Sequence, residues 1–133
     1  MTPTSEQHET GVVTAFIVRP RRARCLAFLK NPKRRRDLTR ELAHFKWIDP
    51  RSVRAIPTEK RSPAGIASIL RQKGAPESCW LISEDADMDG REFPLIDALK
   101  RIVGYGMGTI VSCIPGKLGY FEDEDGRCIL EKT

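Results

Sequence analysis

No apolar run in this sequence approaches the roughly 18 residues that a bilayer-crossing helix needs. There is no Cys-x-x-Cys pair. The four cysteines, Cys25, Cys79, Cys113 and Cys128, are widely separated, so the spacing of a zinc site is absent. Three of them sit in apolar runs, where a reduced thiol acts as a small hydrophobe. Only two histidines are present, His8 and His44, and aromatics are 7% of the chain. No glycine-rich segment runs from a strand into a helix, the direction a phosphate cradle needs. Gly104-Tyr-Gly106-Met-Gly108 instead leads from an expected helix into an expected strand. Pro115-Gly116-Lys117 lacks the upstream glycine of a P-loop and is followed by Leu118 in place of Ser or Thr. These absences leave a thin basis for catalysis. A Cys113–His44 pair is conceivable, but a thiol in an apolar strand stays protonated.

Residues 1–10 are polar and show neither a signal-peptide core nor an Arg-rich amphipathic pattern. They are expected to be a disordered lead-in, with the cytoplasm as the location. Residues 11–133 are of a length suited to one domain with a sizeable core.

The β-branched run Gly11–Val18 predicts a first strand. Pro20 opens a helix to about residue 30. Asn31-Pro32 then supplies an N-cap and a first helical residue for a second helix, to about residue 46. Ser52–Ile56 alternates as a short strand. Ser62-Pro63 starts a helix that Gly74 stops. Cys79–Ile82 is a buried strand, and Pro94 opens a helix that Gly104 ends. Thr109–Ile114 is a strand, and Leu118–Phe121 and Cys128–Leu130 form a hairpin around Asp125-Gly126. The expected fold is α+β: a single compact domain of about four helices on an antiparallel or mixed sheet, ending in a β-hairpin.

Charge is the most informative feature that is present. Residues 1–73 carry 17 Lys/Arg and 6 Asp/Glu, while residues 74–133 carry 6 and 12. Ten of the cations fall between Arg19 and Arg40. At about 100° per residue, Leu38, Leu42 and Phe45 share one face of the second helix. Lys33, Arg36, Arg40, His44 and Trp47 share the opposite face. Arginine suits phosphate because its planar fork donates two parallel hydrogen bonds, and a base can stack on an exposed Trp. Lys33, Arg34, Arg35, Arg36, Arg40, His44 and Trp47 are therefore the candidate nucleic-acid-binding residues. The competing expectation is a solvated helix face whose charges pair with acids elsewhere in the fold.

The acids concentrate in two expected turns, near Asp87 and Asp125. Asp85-Ala-Asp87-Met-Asp89-Gly90 matches the opening of a calcium loop, which makes Asp85, Asp87 and Asp89 candidate metal ligands. Ile96 occupies the position that needs a bidentate Glu, and Pro94 falls inside the loop. An acidic surface turn is the simpler expectation.

The sequence thus points to a small binding module whose basic helical surface contacts RNA or DNA backbone, with no cofactor. The alternative is a protein-interaction module that pairs basic and acidic surfaces, with a homodimer or an acidic protein as partner.

Overall fold

The computed structural model describes residues 2–132. Its sheet has six antiparallel strands in the order β1-β6-β5-β4-β2-β3. These are β1 (Val53–Arg54), β2 (Ser78–Ser83), β3 (Arg91–Pro94), β4 (Thr109–Ile114), β5 (Leu118–Asp123) and β6 (Gly126–Glu131). The helices are α1 (Ser5–Phe16), α2 (Arg22–Lys30), α3 (Pro32–Glu41), α4 (Pro63–Gln72) and α5 (Leu95–Ile102). The α+β expectation holds, with five helices and a wholly antiparallel sheet. The hairpin is β5–β6, in which Asp123 Oδ1 accepts the N–H groups of Asp125 and Gly126 to close the turn. No helix among the described residues is long and apolar enough to cross a membrane.

Helices cover both faces of the sheet. On one side Val12, Phe16, Leu29, Leu38, Leu42 and Phe45 from α1–α3 and the segment after them pack on Ile82, Ile110, Phe121 and Leu130. On the other, Ile66, Leu70, Leu95 and Leu99 from α4 and α5 pack on Leu81, Val111, Tyr120 and Ile129. Period-two alternation along β4 sends Ile110 to the first core and Val111 and Cys113 to the second. Double coverage explains why β2 and β4 are nearly continuous apolar runs in the sequence.

The expected first strand at Gly11–Val18 is instead the second half of α1, and the helix begins inside the expected lead-in. Thr4 caps it. Its hydroxyl accepts the Gln7 N–H, and the Gln7 side chain accepts the Thr4 N–H, a complete capping box. Val12, Val13, Phe16 and Ile17 are buried while Thr14 is exposed, which is helical spacing. Packing overrides the β-propensity of the two valines. Gly11 is where α1 crosses the β4–β5 turn, and a Cβ there would stand 2.5 Å from the Gly116 nitrogen. The expected strand at Ser52–Ile56 shrinks to Val53–Arg54, and β3 is an additional strand.

Arg35 ties the helical layer to the sheet. Its guanidinium donates four hydrogen bonds to two carboxylates. Nη1 and Nη2 reach Glu9 of α1 at 2.8 and 2.7 Å. Nε and Nη2 reach Asp89, before β3, at 2.7 and 3.1 Å. The two acids are held in turn: Glu9 accepts the Trp80 Nε1–H and Asp89 accepts the Ser83 N–H. Burial alone would lower the Arg35 pKa, but the bonds to Glu9 and Asp89 outweigh it and hold the group above its ordinary value.

Replacing Arg35 with Met leaves two largely buried carboxylates without a cation. The expected cost is about 3 kcal/mol in denaturant unfolding. Arg36→Met, one residue away on the exposed face, should change stability by less than about 0.5 kcal/mol. Equal effects of the two substitutions would contradict the assignment.

Candidate nucleic-acid interface

The basic segment is folded as α2, α3 and a 3-10 turn at Leu42–His44. Asn31 caps α3 by accepting the Lys33 N–H, with Pro32 at the first helical position as expected. The helix ends at Glu41, earlier than about residue 46, but the two faces persist. Leu38, Leu42 and Phe45 are buried; Lys33, Arg34, Arg36, Arg40 and His44 are exposed; Trp47 is half-buried.

Arg35 departs from the candidate set. It precedes Leu38 by three residues and so lies on the packing stripe, where Glu9 and Asp89 hold it. His44 has acid partners too. Its Nε2 is 3.0 Å from Glu124 and its Nδ1 3.5 Å from Asp125, and the Glu124 N–H donates to the Ala43 carbonyl. Each acidic turn therefore docks against the basic segment, one through Arg35 and one through His44. The expectation of internal pairing is met at these two points.

The other cations remain outward. Arg34 reaches Asp37 at 3.8 Å with both side chains exposed, a contact of little energetic weight. Among the described residues, Lys30, Lys33, Arg36, Arg40 and Lys46 have no acid within ion-pair distance. The same holds for Arg21 and Arg24, which lie on aromatic rings. The Arg21 guanidinium is 5.2 Å from the Trp47 ring centroid, and Arg24 and Arg34 approach Phe28 at 5.2 and 5.8 Å. Beside Trp47 a cleft of about 250 Å³ is lined by Arg40, Glu41, His44, Phe45, Lys46 and Trp47.

The candidate metal ligands are otherwise engaged. Both Asp89 oxygens face Arg35, Asp85 Oδ1 accepts the Asp87 N–H, and Asp87 is exposed. Met88, between them, is buried in the α4–α5 core. No group of three or more His, Cys, Asp or Glu among the described residues is placed to hold a metal ion. The loop closes as a turn in which the Met88 and Asp89 N–H groups donate to the Asp85 carbonyl.

His8 was expected in the lead-in, yet it is buried on α1. Its Nδ1 is 2.7 Å from Ser112 Oγ, and its ring stacks on Trp80 at 6.4 Å. The pair resembles a base and nucleophile, but Ser112 is fully buried in the central strand and offers no attacking oxygen to a substrate. Cys113 lies in the α4–α5 core while His44 is exposed beside the hairpin turn, so the two do not meet. Burial pushes the Cys79 thiol up to about 12 and those of Cys25 and Cys128 to about 11, and raises Cys113 as well. All four remain neutral free thiols at physiological pH.

The glycine-rich loop after α5 is held by two carboxylates, the buried Glu122 and the half-buried Glu84. Glu122 accepts the N–H groups of Gly104 and Gly106 and the Tyr120 hydroxyl, and Glu84 accepts the Gly108 N–H. Gly104 and Gly106 adopt φ of +90° and +73°, which other residues rarely tolerate. A Cβ on Gly108 would collide with the Leu42 carbonyl carbon, so the loop abuts the end of the basic segment. No family model matches the chain, and neither does any curated protein or solved structure.

Burial holds the His8 pKa below its model-peptide value of 6.5, with Glu92 and Glu9 opposing the shift. The folded state therefore favours neutral His8. Its contribution is present above the unfolded pKa and lost as pH falls through the lower folded value. Stability measured from pH 7 downward should show this loss, and His8→Gln should flatten it. An unchanged slope in that variant would rule His8 out. Glu122→Ala should cost about 2–3 kcal/mol because three donors lose their acceptor. A thermal melt unchanged from the parent would show that the loop does not depend on Glu122.

Proposed function

We propose that this protein binds the phosphate backbone of RNA or DNA through the face formed by α2, α3 and the segment to Trp47, without strong sequence readout. One observation carries the reading. After the acidic turns have docked on Arg35 and His44, a cluster of exposed cations on this face has no acid partner. Lys33, Arg36, Arg40 and Lys46 are its centre, with Arg21 and Arg24 beside them. Unpaired cations on one face form an electrostatic footprint for a polyanion. The fixed helix supplies spacing, and the arginines supply planar donor forks.

Pairing of the basic surface with the acidic surface of a second copy or an acidic protein is the second reading. Its homotypic form has less to draw on, because Asp89 already faces Arg35, and Glu124 and Asp125 already face His44, of their own chain. It predicts salt-sensitive self-association in sedimentation at low salt, and a chain that stays monomeric there counts against the homotypic form.

The test is titration of a labelled oligonucleotide over a range of salt concentrations. The logarithm of the binding constant should fall linearly with the logarithm of salt, by about 0.7 per contacted phosphate on a single strand or 0.9 on a duplex. Lys33→Glu, Arg36→Glu and Arg40→Glu together should abolish binding while leaving the melting temperature nearly unchanged, since all three side chains are exposed. Binding that ignores salt, or that survives this triple reversal, would refute the reading.

A further inference from the structure

We infer that the cleft beside Trp47 receives one unpaired base, so that the nucleic acid bound here is single-stranded. The inference rests on the backbone-binding reading above. The cleft has the chemistry of a nucleotide. Trp47 offers an aromatic face, Arg40 and Lys46 offer cations for the adjoining phosphate, and the Glu41 carboxylate is an acceptor for a base amino group. Its volume of about 250 Å³ is below the roughly 300–1,000 Å³ of pockets that enclose drug-sized ligands, and suits a single flat ring system.

Trp47 is positioned before any ligand arrives. Its carbonyl accepts the Val18 N–H at 2.8 Å, and the neighbouring Ile48 bridges to Ile17. Its ring rests against Phe45 at 5.6 Å, and Phe45 in turn packs on Phe121 of β5 at 6.1 Å. The exposed Arg21 guanidinium carbon lies 5.2 Å from the ring centroid, so a base stacking on that face displaces a solvent-exposed side chain. Glu124 and Asp125 sit beside His44 and repel phosphate there. The strand therefore runs past the Arg40 and Lys46 side of the cleft.

A duplex keeps its base faces stacked inside, and extruding one base costs a few kcal/mol. A single strand presents those faces freely, and stacking on an aromatic side chain is tolerant of sequence. Cations that hold backbone, combined with an aromatic that holds a base, therefore select strandedness without reading sequence.

The experiment compares one mixed-sequence oligonucleotide, as a single strand and as its duplex, at fixed low salt. Binding is followed by anisotropy of the labelled strand and by tryptophan fluorescence. The single strand should bind several-fold more tightly and quench the fluorescence; the duplex should bind without quenching. Trp47→Leu keeps apolar packing but removes the stack. It should weaken single-strand binding about tenfold, within the range measured for one stacked base, and leave duplex affinity and the salt slope unchanged. Trp47→Phe should retain most of the affinity and lose the quenching, which separates stacking from any damage to the fold. Equal affinities for the two forms with no quenching would overturn the cleft and leave the backbone reading standing. No binding of either form at low salt would overturn both.

Discussion

The structure depends on one cation held between two layers. Arg35 of α3 is gripped by Glu9 of α1 on one side and by Asp89, at the turn that leads into β3, on the other. This contact sets α3 against α1 and against the sheet, and so fixes which way the rest of α3 faces. Leu38 and Leu42 follow Arg35 at helical spacing and are buried with it, which leaves Lys33, Arg36 and Arg40 in solvent. The outward basic face is the other side of an inward ion pair. A largely buried, doubly bidentate pair of this kind offsets its desolvation only when further hydrogen bonds support it; here Trp80 and Ser83 donate to the two carboxylates, and the Leu29 carbonyl accepts from the guanidinium.

The same logic resolves the charge asymmetry of the chain. Both acidic turns contact the basic segment, Asp89 through Arg35 and Glu124 with Asp125 through His44. The halves of the sequence are therefore complementary within one domain. The pairing is incomplete: Lys33, Arg36, Arg40 and Lys46 are left over on one helical face and around Trp47, while Lys60, Arg61, Lys100, Arg101 and Lys117 stand unpaired elsewhere among the described residues. The same segment thus organises the fold with its inner face and presents charge with its outer face.

Much of this was legible in the sequence because its cues are local. Asn31-Pro32 and Ser62-Pro63 mark real helix starts, and the residues before the Asp125-Gly126 turn and after it form a real hairpin. The two faces of α3 followed from helical periodicity, even though the regular helix stops at Glu41. Helix α1 was hidden by its β-branched run, although Thr4 and Gln7 carried the capping-box signal. Strand β3 has only four residues and little apolar pattern, and it exists through its pairing with β2. Arg35 lies on the spacing of the buried stripe, which was visible; Glu9 and Asp89 are 26 and 54 residues away, and that pairing is a product of topology. The cleft beside Trp47 likewise needs the chain to turn back after His44.

The central claim is that the segment from α2 to Trp47 is where a polyanion binds, while the acidic turns serve the fold. An NMR titration of the labelled protein with a short single-stranded oligonucleotide tests it most directly. The account predicts amide shifts concentrated between Arg19 and Trp47, with the Trp47 indole among the largest and α4 and α5 unmoved. Shifts that centre on α4 and α5, or no shifts at low salt, would contradict it.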